Sequence, residues 1–129
     1  MSRNELVSII IPNYNHARYL GEAIESVIAQ TYAPREIIVL DDGSTDNSRE
    51  VAAHFGDYIQ YVRQENRGLA PARNAAIRLA RGKYIALLDA DDMLEPDFIT
   101  SAITALQANS NAQGVYTGYS FIDQHSNPL

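Results

Sequence analysis

Residues 84–97 read YIALLDADDMLEPD. Five residues of strand-forming character run straight into Asp89, Asp91 and Asp92, with Asp97 close behind. A short apolar run bounded by a polar loop is the pattern of a buried strand. Carboxylates this close repel one another unless something positive lies among them. Three further runs, 7–11, 36–40 and 59–62, have the same character. They are rich in Val and Ile and mostly lack alternation, as expected for parallel strands covered on both faces. A fifth strand is expected over 114–121.

Helical spacing fills the intervals. Leu20, Ala23, Ile24, Val27 and Ile28 form one apolar stripe, and Val51, Ala52 and Phe55 a shorter one. Ala72, Ala76, Ile77 and Ala80 form a third, for which Gly82 is the expected left-handed stop. Pro96 suits the first turn of a fourth helix carrying Phe98, Ile99, Ala102, Ile103 and Leu106. The order β-α-β-α-β-α-β-α-β predicts a doubly wound, mainly parallel α/β sheet with helices on both faces. Ligands of such sheets lie at the carboxyl ends of the strands, near the point where strand order reverses. With strand order 3-2-1-4, the loops PNYNHARY, DDGSTDNS and DADDMLEP would line one crevice holding Tyr14, Asp41 and the 89–92 carboxylates.

Composition narrows the partners. The 129 residues suit one domain, and 46% hydrophobic with 20% charged residues is ordinary for a globular protein. A net charge of −6 disfavours nucleic acid and anionic membranes. Without cysteine there are neither disulfides nor thiolate metal sites. The opening MSRNELVSIIIP is not expected to be a signal peptide, and no apolar stretch approaches the ~20 residues of a membrane span. A cytoplasmic domain is expected, membrane-associated only as part of a longer protein.

The acidic loop carries the chemistry. In an extended segment residues i and i+2 point the same way, so Asp89 and Asp91 can present two carboxylates to one side of the small Ala90. Mg2+ is typically held by one or two carboxylates together with substrate phosphates. An EF-hand does not fit, because Leu94 stands where its glycine is needed and Thr100 where its closing Glu is needed. Asp92, Glu95 and Asp97 read equally as an acidic turn preceding a helix. Asp41 ends a buried strand, where a carboxylate is costly without a partner, and an acid at the end of strand two often bonds a nucleotide. Ser44, Thr45 and Asp46 are good helix caps. Gly68 opens the third helix, whose N-terminus favours anions. Arg73 could reach a phosphate there or pair with an aspartate. Tyr14 offers a face for a base, or packs on the sheet edge. His16, His54 and His125 show no ligand spacing.

In this order and spacing VSIIIPNYN, EIIVLDDGSTD, NRGLAPARNAA and GKYIALLDADD strongly resemble the family-two glycosyltransferases of GT-A fold, over residues 7 to about 120. The resemblance implies a nucleotide-diphospho-sugar donor, usually a UDP-sugar, bound with Mn2+ or Mg2+, and an inverting transfer to a saccharide or lipid-linked acceptor. It implies that Pro12, Tyr14 and Asp41 hold the base. It also implies that Asp89-Ala90-Asp91 is the DXD motif, with Asp91 a metal ligand and Asp89 supporting ribose or metal. The expected nucleotide-binding set is Pro12, Tyr14, Asn15, Asp41, Gly68, Arg73 and Asp89; the expected metal ligands are Asp91 and Asp89. Such proteins usually exceed 200 residues, with the general base after the fifth strand. Asp123 stands too near that strand to be named as the base, which is expected beyond Leu129. The expectation is therefore the N-terminal donor-binding part of a longer enzyme, inactive in transfer alone, with a homo-oligomer formed through an uncovered strand or apolar face. The rival is a module that binds nucleotide and metal without transfer. A dinucleotide oxidoreductase would need G-x-G-x-x-G and a P-loop NTPase G-K-[ST], and both are missing.

Overall fold

The computed structural model describes residues 4–129. The elements run β1 (Val7–Asn13), α1 (Ala17–Ile28), β2 (Arg35–Asp41), α2 (Ser48–Ala53), a 3-10 turn (Gly56–Tyr58), β3 (Gln60–Arg63), α3 (Leu69–Leu79), β4 (Tyr84–Leu87) and α4 (Phe98–Ala108). The four strands form one parallel sheet in the order β3-β2-β1-β4. Strand order therefore reverses at β1, and the crevice expected from the loops lies at the carboxyl ends of β1, β2 and β4.

Strand parity divides the core. Ile9, Ile11, Ile37 and Val39 pack with Leu20, Ala23, Ile24 and Val27 of α1, Ala52 of α2, and Ile99 and Ile103 of α4. Ile10, Ile38 and Leu40 turn the other way, onto Ala72 and Ala76 of α3. Both faces of β1 and β2 are thus covered, which is why their sequences read as unbroken apolar runs. Pro12 is tolerated in this central strand for a reason of register. It shares the parity of Ile10, whose carbonyl accepts from Leu88 N on the β4 side, and the β1–β4 ladder stops at Leu87. Proline has no N–H to return to β4, so it ends that ladder instead of interrupting it.

Three local expectations are corrected. Residues 114–121 form no strand. Tyr116, Tyr119 and Phe121 are 95%, 83% and 69% exposed, so the run has no surface to bury against. Its neighbourhood contributes an isolated antiparallel bridge, Ile122 to Pro128, with bonds from Leu129 N to Phe121 O at 3.0 Å and from Asp123 N to Asn127 O at 2.8 Å. Among the described residues no strand pairs with the outer edge of β4, and Ile85 and Leu87 are about half exposed. Gly82 is not a left-handed helix stop: α3 ends at Leu79, capped by Ala80 in an extended conformation. Glycine is needed at 82 for close approach, since a Cβ there would lie 2.6 Å from Ser8 Oγ and 2.7 Å from Ser8 N. Pro96 lies just outside α4, which begins at Phe98 after Asp97; the Pro96 carbonyl is taken by Thr31 N. Among the described residues no helix is long and apolar enough to cross a membrane.

Candidate functional site

The base-side end of the crevice is built on a buried carboxylate. Asp41 is 0% exposed and accepts hydrogen bonds from Asn13 Nδ2, Ser44 N, Ser44 Oγ and Arg63 Nη1, the last at 3.0 Å. Asp41 and Arg63 are partners in the β2–β3 register, so the parallel pairing itself delivers the countercharge that a buried carboxylate requires. Asn13, also buried, bridges Asp41 and Ser44. Asn15 holds a left-handed backbone at φ 55°, and its Oδ1 accepts from Thr45 N and Asp46 N, binding the first loop to the second. Asp46 caps both the N–H of Ala17 opening α1 and that of Ser48 opening α2. Tyr14 projects from this bolted loop 45% exposed, and Pro12 lies buried in β1 beneath it.

Asp42 belongs to the opposite face. Its parity is that of Ile38 and Leu40, toward α3, and its two oxygens accept from Gln64 Nε2, Arg67 N and Gly68 N at 2.8–2.9 Å. Burial pushes its pKa up, but the bonds from Gln64, Arg67 and Gly68 and the Arg67 charge outweigh burial, and the net shift is downward. Gly68 can enter this contact because it sits at φ 100°, a left-handed conformation costly for other residues. It is the N-cap of α3, so Asp42 fixes the start of the helix that carries Arg73.

The third part is the acidic turn. Ala90 is buried in the α1–α4 core, while Asp89 and Asp91, of opposite parity, stand clear of it. Asp92 N closes the turn on Asp89 O at 3.0 Å. One oxygen each from Asp89, Asp91 and Asp92 lie within 4.8 Å of one another. Burial, then the charges of Asp91 and Asp89, raise the pKa of Asp92 above its ordinary value, the signature of carboxylates that lack sufficient countercharge. Among the described residues the positive group bonded there is Arg73, whose Nη2 meets Asp89 Oδ1 at 3.0 Å while its buried Nε finds no partner. Oxygen donors that converge at this spacing, still short of positive charge, fit a hard divalent cation.

Of the residues expected from sequence, the structure joins Gly68, Arg73, Asp89 and Asp91 along the α3 face. Pro12, Tyr14, Asn15 and Asp41 gather at the ends of β1 and β2, with Asp41 beneath the surface rather than in the crevice. The expectation of a general base beyond Leu129 falls outside the described residues; Leu129 itself is 86% exposed. The sequence alone does not single out Asn13, Asp42 or Arg63. Strand parity was the available signal for Asp42, and strand order for Arg63, because the pairing places it opposite Asp41.

The comparisons agree with this architecture. The model of the family described as Glycosyl transferase family 2 matches residues 8–127. The chain is 46% identical over 125 residues to an uncharacterized glycosyltransferase of Rickettsia prowazekii, and 38% identical over 130 residues to chondroitin synthase of Escherichia coli. These alignments take in 96% and 98% of this chain but 39% and 19% of the relatives' own lengths. Among solved structures, the mannosyltransferase PcManGT of Pyrobaculum calidifontis, in complex with GDP-Man and Mn2+, superposes with a TM-score of 0.76 at 28% identity, covering 81% of this chain and 33% of that one. S. aureus TarS, solved with UDP, shares the fold at a TM-score of 0.75 and 23% identity, over 86% of this chain and 38% of that one. The sheet order, the acidic turn at its switch point and these matches lead to one conclusion: the chain belongs to glycosyl transferase family 2, with the GT-A fold.

Proposed function

We propose that this chain is the donor-binding domain of a glycosyltransferase, holding a nucleotide-diphospho-sugar at the carboxyl ends of β1, β2 and β4 for an inverting transfer to a saccharide or lipid-linked acceptor. The observation that carries the reading is the convergence of Asp89, Asp91 and Asp92 within 4.8 Å on a turn whose one bonded cation among the described residues is Arg73. Asp91 and Asp89 would hold Mn2+ or Mg2+, which when bound supplies positive charge against the donor diphosphate. The mannosyltransferase bound to GDP-Man and Mn2+ supports this assignment.

The remaining roles follow from placement. Tyr14 offers an exposed face for the base beside Pro12, and Asn15 keeps that loop in register with residues 44–46. Asp41 shapes the base end from beneath, through Asn13, Ser44 and Arg63. Gly68 and Arg73 present the α3 N-terminus and a guanidinium toward the diphosphate side. The catalytic base is assigned to chain beyond Leu129, in the acceptor half of a longer protein. A UDP-sugar is the first donor to test, because it is the usual donor implied by the motifs. Calorimetric titration of UDP- and GDP-sugars in Mn2+ should show one of them binding with 1:1 stoichiometry. If no nucleotide sugar binds at millimolar concentration, the donor-domain reading fails.

A further inference from the structure

The acidic turn is pinned at both ends. At its entry Leu88 N donates to Ile10 O at 2.9 Å. At its exit the chain meets the last turns of α1. Ser26 Oγ, on a residue 8% exposed, donates to Ala23 O at 2.7 Å and accepts from Leu94 N at 3.1 Å. Gln30, 6% exposed, is used more fully: Nε2 donates to Ser26 O at 3.1 Å and to Glu95 O at 2.6 Å, while Oε1 accepts from Ile99 N at 3.0 Å. Thr31 N donates to Pro96 O at 2.9 Å. No side chain at the N-cap of α4 bonds its first turn. Gln30 therefore supplies, from just past the C-terminal end of α1, the acceptor that an N-cap residue would supply.

Ser26 and Gln30 are buried polar groups among Ala23, Ile24 and Val27, where burial is costly unless every bond is made. What they bond is the backbone of 94–99. Between Leu88 and Leu94 the turn is otherwise closed by one backbone bond, Asp92 N to Asp89 O. Its three carboxylates push one another apart; Arg73 on Asp89 offsets part of that repulsion, and the fixed ends oppose the rest of the spreading. A cation site needs its oxygens held to about half an ångström.

We propose that Ser26 and Gln30 are positioning residues for the acidic turn, holding residues 94–99 so that Asp89, Asp91 and Asp92 keep one shared coordination geometry. They act through the backbone and touch no donor. The inference rests on reading the three carboxylates as a cation site, and the test separates the two ideas. Its variants are Ser26→Ala, Gln30→Ala, Ser26→Thr to restore the hydroxyl, and Val27→Ala as a core deletion on the same helix that makes no bond to the turn. The readouts are amide hydrogen exchange across 89–99 and UDP affinity by calorimetry in Mn2+ and in EDTA. Ser26→Ala and Gln30→Ala should speed exchange at Asp92 and Leu94 by about tenfold, the effect of one lost buried hydrogen bond, with β1 and β2 unchanged. The extra UDP affinity conferred by Mn2+ should fall about five- to tenfold, affinity in EDTA should hold, and Ser26→Thr should restore both readouts. Wild-type exchange in both alanine variants, or an equal loss of Mn2+ dependence in Val27→Ala, would overturn the proposal. If the wild-type chain shows no Mn2+ dependence, the cation-site reading falls by itself, and exchange still decides whether Ser26 and Gln30 hold the turn.

Discussion

Replacing Asp42 with alanine should unlatch the start of α3. Three donors converge on this carboxylate, which is 4% exposed: Gln64 Nε2 at 2.9 Å, Arg67 N at 2.8 Å and Gly68 N at 2.9 Å. Hydrogen bonds to a charged acceptor contribute about 1.5–3 kcal/mol each. Arg67 is exposed and Gly68 partly so, and water will satisfy some of what is lost. A net loss of about 3 kcal/mol is the expectation, roughly a 150-fold drop in the folding constant. In urea, with a slope of about 1–3 kcal/mol/M for a domain of this size, the midpoint should fall by about 1–3 M. The chain has no Trp, so far-UV circular dichroism is the suitable probe. The pH dependence supplies a second check. The folded carboxyl titrates below its ordinary 3.8, so its contribution is present above that value and is lost as pH falls through the lower folded one. The gap between wild type and Asp42→Ala should therefore be full at pH 6 and shrink below pH 3.8. Other acids, such as Glu36 and Asp46, also titrate low, but they cancel in the difference between the two proteins. A loss under about 1 kcal/mol at pH 6, or a gap that persists unchanged into acid, would refute the latch.

Two further substitutions probe the acidic turn. Arg73→Ala removes a half-exposed ion pair, so stability should change by less than about 1 kcal/mol; Mn2+ without nucleotide should bind more tightly to this variant by EPR titration, because a competing cation has left Asp89. Asp92→Asn should raise the melting temperature at pH 7, since the raised pKa means that the charged form is disfavoured in the folded state, and the gain should vanish below pH 3.8, where the acid is neutral in both states. Scanning calorimetry across pH measures it, and a lower melting temperature at pH 7 would contradict the repulsion inferred at the turn.

How far the sequence carried this reading depended on whether a segment's pattern was local. Residues 7–11 and 36–40 announced buried parallel strands because both of their faces are covered, and α1 announced itself through one apolar stripe. The convergence of carboxylates in the acidic turn was legible because Ala90 separates two of them at strand spacing. What stayed hidden was set by partners distant in the chain. Arg63 meets Asp41 only through strand pairing, and Asp42 finds its three donors between residues 64 and 68. The 114–121 run misled because strand propensity forms no strand when the side chains stay in solvent. Gly82 misled because close approach and a helix stop leave the same residue in the sequence, and only the Ser8 contact tells them apart.

On the function proposed, Asp91 and its neighbours bind a divalent cation together with the donor diphosphate. Such linkage is reciprocal: metal and nucleotide must each raise the affinity of the other. The most direct measurement is calorimetric titration of UDP into the wild-type chain and into Asp91→Ala, each with Mn2+ and with EDTA. The account predicts at least ~1 kcal/mol of coupling in the wild type and none in Asp91→Ala. Binding of UDP that is equally tight in EDTA, or an Asp91→Ala chain that couples as wild type does, would contradict it and leave the carboxylates as an acidic turn ahead of a helix.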